Sequence, residues 1–285
     1  MRSLSTIYND YFASNAVFSY KEDERIFRTL FMRAWFAVFF LFIVTMLIGS
    51  LFGIGANEYH YFIMNLILIN LIAALGLQLL VGFTGLLSLG HAAFMGVGAY
   101  TSALLITNWN CPFILSIFLA GLGAAVLGLV VGVPSLRIKG FYLMVATLAF
   151  QFAIEYTIIH WDGVTRGIRG IELPVPHVFG ISLGKNQSYF ILLFVMAAFL
   201  MWGAKNIVRS KIGRAFVAIR DNDVSAEIIG IPIFPYKLLS FSISAFYAGI
   251  AGALFAGLLR TAIPEDYLFT HSIIFLAMVL VGGLG

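Results

Sequence analysis

The sequence predicts an all-α fold, a polytopic transmembrane helical bundle of about eight spans, and three observations carry that prediction. Hydrophobic residues make up 61% of the chain and charged residues 11%, against roughly 45–50% and about 25% in soluble globular domains. So few charges cannot cover a soluble fold of 285 residues, and the apolar surplus has to face lipid. Apolar runs of helix length recur between short polar segments. Lys and Arg concentrate in alternate segments. Helices are the physical choice in hydrocarbon because each satisfies its own backbone hydrogen bonds, which an open strand does not.

Residues 1–33 are polar and mixed in charge, with Lys21, Glu22, Asp23, Glu24, Arg25 and Arg28 ahead of the first apolar run. A cleavable signal peptide would place its apolar core near the start. The segment therefore reads as a cytoplasmic tail, followed by a membrane domain over 34–285. Runs at 34–54, 62–81, 112–133, 141–159 and 238–259 are long enough to cross roughly 30 Å of hydrocarbon. Those at 92–106 and 189–204 are shorter. An eighth opens at Ile273 and would rise only about 20 Å before Gly285, so the protein is expected to continue beyond that residue. The terminal Gly282-Gly283-Leu284-Gly285 resembles an earlier glycine-rich break at 82–90, as expected of two halves that form an inverted repeat.

Placing the N-terminus in the cytoplasm and alternating sides leaves only Arg166, Arg169, Lys185 and Arg260 outside, so 13 of the 17 Lys and Arg are cytoplasmic. The net charge of +4 follows from these loops and calls for no nucleic acid. The single Cys111 excludes an intrachain disulfide and a cysteine-based metal site. Two extramembrane segments exceed turn length. The outer loop 160–187, rich in Gly and Pro, reads as a structured cap; the other is the cytoplasmic segment 205–236.

Gly82-Phe-Thr-Gly-Leu-Leu-Ser-Leu-Gly-His91 interrupts what would otherwise be one apolar stretch. Glycines admit backbone bends and hydroxyls satisfy the groups a bend exposes, so Gly82, Thr84, Gly85, Ser88, Gly90 and His91 are candidates for a translocation path. Physics alone weighs a plain turn between two spans equally. For His91, capping of broken helix ends is the commoner role and solute contact or gating the rarer one. Glu155 lies in an apolar run, where an ionisable group is costly; near His160 and Trp161, it is expected to reach interfacial water.

Residues 210–230 form an amphipathic cassette. Ala215, Val217, Ala218 and Ile219 fall in one short helix, Asp221-Asn222-Asp223 break it, and a second helix over 224–229 ends at Gly230, suited to a C-terminal cap. Such an element docks a soluble partner or lies on the bilayer as a basic surface helix.

GLLSLGHAAFMGVGAY at 85–100 and GRAFVAIRDNDVSAEIIGI at 213–231 closely resemble permease subunits of branched-chain amino-acid ABC transporters, the Liv type, more specifically their M-like member. Leu136-Arg-Ile-Lys-Gly-Phe-Tyr-Leu-Met-Val-Ala-Thr-Leu148, Thr165-Arg-Gly-Ile-Arg-Gly-Ile171 and Val281-Gly-Gly-Leu-Gly285 extend the resemblance over 35–285. It implies an importer permease in a bacterial inner membrane, paired with a second homologous permease, two cytoplasmic ATPases and a periplasmic solute-binding protein. It also implies that Gly213, Arg214, Ala218, Arg220, Asp221, Asn222, Ala226 and Gly230 form the coupling element seated in an ATPase groove.

No Walker-type phosphate loop occurs in the sequence, so ATP is expected on the partner subunits, with no cofactor, metal or enzymatic activity in this chain. The outer loop has Thr-Arg-Gly where the family is expected to have Thr-Gly-Gly, which leaves urea and short amides as alternative solutes. A passive channel would leave the cassette unexplained. An intramembrane enzyme would need His91, Glu155 or Asp162 to be catalytic, and no nucleophile–base pair supports that.

The orientation is testable in a Cys111→Ser background. Asn186→Cys should react with an impermeant thiol reagent from outside and Asn206→Cys should be protected; the reverse pattern would invert the topology.

Overall fold

In the computed structural model the described residues are 58–136, 140–178 and 181–283. The tail 1–33, the first expected span at 34–54, and Arg137, Lys139 and Leu284-Gly285 lie outside them. Long apolar runs become long helices: α1 (Glu58–Thr84), α2 (His91–Trp109), α3 (Phe113–Ser135), α4 (Phe141–His160), α6 (Asn186–Arg209) and α9 (Ile233–Leu259). The short α5 (Asp162–Thr165) lies in the outer loop, α7 (Lys211–Asp221) and α8 (Asp223–Ile228) form the cassette, and α10 (Phe269–Gly282) follows α9. The protein is thus a multi-pass, helical membrane protein.

Among the described residues six helical stretches are long and apolar enough to cross a membrane: α1, α3, α4, α6, α9 and Pro264–Gly282. This is fewer than about eight, for two reasons. One expected span lies outside the described residues, and α2 is not among the six. α2 is long enough, but His91, Tyr100, Thr101, Ser102, Thr107 and Asn108 lower its hydropathy; Ala92, Ala99, Ser102 and Ala103 are completely buried, so it packs within protein. The run expected to open at Ile273 opens earlier, with a 3-10 turn over Pro264–Tyr267 leading into α10. α10 itself has 14 residues and rises about 21 Å, short of the roughly 30 Å core, in keeping with a run too short to span by itself.

The 27-residue helices α1 and α9 form the centre, with α2 and α3 packed on α9 and α6 on α1. Small residues make this possible. A Cβ on Gly98 would collide with the backbone of Gly249, and one on Gly252 with the Met95 carbonyl, so α2 and α9 touch main chain to main chain. Two tyrosines fasten the ends of α6 to α9: Tyr189 donates to the Leu254 carbonyl at 2.7 Å and Tyr247 to that of Leu200 at 2.8 Å. The outward faces of α3, α4 and α6 expose Leu122, Val126, Val130, Phe152, Phe199 and Trp202, as lipid contact requires.

The loop 160–187 is structured, as its composition predicts. It holds α5, a 3-10 turn at Gly167–Arg169 and three two-residue strands: β1 (Ile171–Glu172), β2 (His177–Val178) and β3 (Ile181–Ser182). β2 and β3 pair with each other, and β1 pairs antiparallel with β4 (Thr261–Ala262), which follows α9. The loop is thereby tied to the chain that re-enters the bundle after α9.

Gly252→Val should lower the thermal unfolding midpoint of the purified protein by an amount equivalent to at least about 2 kcal/mol. Gly282→Ala, where a Cβ meets nothing within 4 Å, should leave it unchanged.

Candidate functional site

The break after α1 is built from its carbonyls outward. Gly85 takes a left-handed conformation (φ 72°), and the amides of Gly85 and Leu86 close the helix by bonding to the Val81 and Leu80 carbonyls at 3.1 and 3.2 Å. This is the helix-terminating use of glycine. The chain then turns back: Leu89 N–H donates to Thr147 Oγ1 at 3.0 Å, and Gly90 lies so close to α4 that a Cβ would stand 2.7 Å from the Thr147 carbonyl.

His91 opens α2 in the interior of the bundle. Its Nε2 lies 2.9 Å from the Ala73 carbonyl and donates to it. Ala73 lies about 16 Å back along α1 from Thr84 at 1.5 Å per residue. The segment is therefore re-entrant. His91 ties the start of α2 to the interior of α1 and caps no helix end.

A helix that begins in the interior exposes its first amides where no water is present. Ala92 N–H donates to Ser272 Oγ at 2.8 Å and Ala93 N–H to Gln151 Oε1 at 2.7 Å. Ser272 in turn donates to Gln151 Oε1 at 3.3 Å, while Gln151 Nε2 donates to the Tyr267 carbonyl at 2.9 Å. One amide side chain thus joins the starts of two helices, because Tyr267 and Ser272 flank the first turn of α10.

These contacts show a second re-entrant element. From the end of α9 the chain runs back through β4 and Pro264–Tyr267 to the midpoint of α4, then leaves as α10 toward Gly283, whose carbonyl accepts from Gln78 near the end of α1. α2 and α10 are half-helices entered from opposite ends of the bundle, their first turns facing each other. Gly283, at φ 101°, ends α10 as Gly85, at φ 72°, ends α1; Leu284 and Gly285, the rest of the expected counterpart of the 82–90 break, lie outside the described residues.

The cassette folds by local rules. Ser210 Oγ accepts from Ile212 N–H to start α7, and Asn222 Oδ1 accepts from the Val224 and Ser225 amides to start α8. Gly230, at φ 89°, ends α8. Buried Gly213, Ala215, Phe216, Ile219 and Ala226 face the bundle; Val217 and Ala218, expected on the apolar face, are half-buried. Arg214, Arg220, Asp221, Asn222 and Gly230 are exposed. Also exposed are three large apolar side chains, Val224, Ile228 and Ile229.

The two groups of candidate residues meet. Arg220 Nη1 donates to the Gly82 carbonyl at 2.8 Å, and a Cβ on Gly85 would stand 3.2 Å from Arg220 Cγ. Around this contact Thr84, Leu136, Gly140, Asp223 and Lys237 help to line a cavity of about 350 Å³. Lys237 pairs with Asp223 at 2.6 Å, and Arg220 with Asp221 at 3.3 Å. Thr84, Ser88, Gly90 and His91 are buried in side-chain and backbone packing, whereas Gly85 is exposed.

Sequence reasoning missed Gln151, Ser272, Thr147 and Lys237. Gln151 carried a signal, an amide in the middle of an apolar run; Ser272 and Thr147 carried none, since hydroxyls are ordinary in membrane helices. Glu155 is half-buried, and its Oε2 is enclosed with no hydrogen-bond partner among the described residues.

Residues 59–285, which include both half-helices and the cassette, match the family described as branched-chain amino acid transport system / permease component. The chain belongs to that family. It is 33% identical over 247 residues to the high-affinity branched-chain amino acid transport system permease protein LivM of Escherichia coli K12 and, equally, to that of Salmonella typhimurium LT2. Each alignment covers 78% of this chain and 58% of the relative. A probable branched-chain amino acid transport permease protein LivM of Methanocaldococcus jannaschii is 26% identical over 175 residues, 60% of this chain and 50% of that one. The chain spans little more than half the length of these relatives. No solved structure matches it. Within this transport family the cassette and the re-entrant break are the parts whose geometry bears on function.

Gln151→Leu should strand the Ala93 amide and the Tyr267 carbonyl, with a loss of about 2–4 kcal/mol in unfolding free energy. Phe152→Leu, on the lipid-facing side of the same helix, should change it by much less; equal losses would remove the special role assigned to Gln151.

Proposed function

We propose that this chain is the membrane-spanning part of an ATP-driven importer permease in a bacterial inner membrane, with its N-terminus in the cytoplasm. It passes branched-chain amino acids from a periplasmic binding protein to the cytoplasm, beside a second homologous permease. The transport family and the substrate printed for the LivM relatives support this reading. In it, the membrane domain is 34–285, the outer loop 160–187 meets the binding protein, and 205–236 is the coupling segment. ATP binds two partner ATPases, and this chain carries neither an ATPase site nor a cofactor.

The observation that carries the mechanism is the Arg220–Gly82 hydrogen bond. On one side the cassette presents Val224, Ile228 and Ile229, apolar surface that its own chain leaves uncovered, to an ATPase groove. On the other side it grips the carbonyl at the start of the re-entrant break. Closure of the ATPases on Gly213, Arg214, Ala218, Arg220, Asp221, Asn222, Ala226 and Gly230 then moves Gly82, Thr84, Gly85, Ser88, Gly90 and His91 with them. The access path opens on alternate sides, and no covalent chemistry occurs in this chain.

The double variant Ile228→Asp/Ile229→Asp places two charges on that surface. It should abolish co-purification of the ATPases and reduce leucine uptake at least about tenfold, while the binding protein keeps its solute affinity. Normal ATPase association and solute-stimulated hydrolysis in this variant would overturn the coupling assignment.

A further inference from the structure

Two turns beyond the helix-start network lies a second polar cluster that neither the network nor the cassette uses. Tyr100 on α2 and Tyr267 before α10 bring their rings to 6.4 Å, edge to face, and are only 4% and 3% exposed. Neither hydroxyl has a hydrogen-bond partner among the described residues, and the same holds for Asp266 Oδ2, His271 Nδ1 and Glu155 Oε2. The Asp266 carboxylate acts electrostatically on both tyrosines and on His271, so these four side chains share one neighbourhood. Glu155 lies one helical turn from Gln151 on the same face of α4.

Buried polar atoms without partners are rare because each costs the water it has lost. Four in one region, with Glu155 Oε2 on the helix that carries Gln151, call for a missing partner, and their chemistry says which kind. Two are carboxylate oxygens, which only accept when ionised; the imidazole nitrogen and both phenolic oxygens also accept. The complement is a group that donates in several directions and carries positive charge.

We infer that Tyr100, Asp266, Tyr267 and His271, with Glu155 at the edge, form a binding site for a primary ammonium group, that of the amino acid in transit. The inference rests on the permease reading for the identity of the solute and on the cluster for the chemistry. Its position suits the task. It lies where the segment after α9 turns back toward the bundle centre, just before the first turn of α10 and about two turns along α2 from its start. Helix starts carry partial positive charge, so a zwitterion held by its ammonium at the cluster would have its carboxylate drawn toward the helix starts. The apolar side chain makes no demand on these groups, which suits a site that passes several amino acids.

The test is saturation-transfer NMR on the protein assembled with its partner permease and ATPases in nanodiscs without binding protein. The probes are leucine, its deaminated analogue 4-methylpentanoate, and methylammonium. Leucine and methylammonium should bind saturably and 4-methylpentanoate at least about tenfold more weakly; Asp266→Asn should weaken leucine and methylammonium about tenfold to a hundredfold. Tyr100→Phe, which removes one oxygen and fills the same space, should weaken both severalfold and decides the matter if Asp266→Asn does not assemble. Leucine binding unaffected by these variants would overturn the site and leave the permease reading standing. Methylammonium binding that depends on Asp266, without leucine binding, would keep the site and remove the amino-acid reading. Displacement of methylammonium by sodium or potassium at equal concentration would show an inorganic-cation site and overturn the inference.

Discussion

A helix that starts inside a membrane protein must find acceptors for its first amides, and this constraint organises the structure around Gln151. Its Oε1 accepts from Ala93 N–H and Ser272 Oγ, and its Nε2 donates to the Tyr267 carbonyl. Water would serve these groups at a surface; in the interior each unmet one costs about 1–3 kcal/mol. The close main-chain contact of α2 with α9 at Gly98, Gly249 and Gly252 follows from the same requirement, since α2 has to be enclosed by protein along the length that begins in the interior. The strand pair β1–β4 then holds the second re-entrant segment from the other end.

The same geometry gives a signal from the cassette a physical route. In the proposed mechanism a shift of α7 pulls on the Gly82 carbonyl through Arg220, and the eight residues that follow lead directly to His91 and its bond to Ala73. Gly85 and Gly90 sit where this segment bends and where it presses on α4, so motion is resisted by side-chain contacts at Thr147 and not by a continuous helix. In the proposed mechanism the half-helix α2 is the element that would shift against a frame formed by α1 and α9. Because Gln151 also holds the start of α10, movement of one half-helix is felt by the other.

Much of this was legible in the sequence wherever the cause is local. The long apolar runs gave α1, α3, α4, α6 and α9 within a few residues, since length and hydropathy alone set a span. The caps of the cassette were legible too, because Asn222 bonds amides two and three residues away and Gly230 ends α8 by its own backbone. The break at 82–90 was visible as a glycine cluster, but its re-entrant course was not. That course is set by Thr147, Gln151 and Ser272, partners 58 to 180 residues distant in sequence. The second re-entrant segment was hidden for a further reason. At 260–268 it has no glycine, and turns instead on Arg260 in a left-handed conformation and on Pro264. α2 reads as a short span because its run at 92–106 is continuous in sequence, whereas the burial that encloses it in protein depends on helices distant along the chain.

The central claim is that the cassette and the interior start of α2 are one mechanical unit, joined through the Arg220–Gly82 bond. Amide hydrogen exchange on the intact, reconstituted protein measures this most directly, comparing wild type with Arg220→Ala over Leu86–Phe94 and over α6. Loss of the tie should accelerate exchange across Leu86–Phe94 and leave α6 unchanged. Equal protection of Leu86–Phe94 in both proteins would contradict the account.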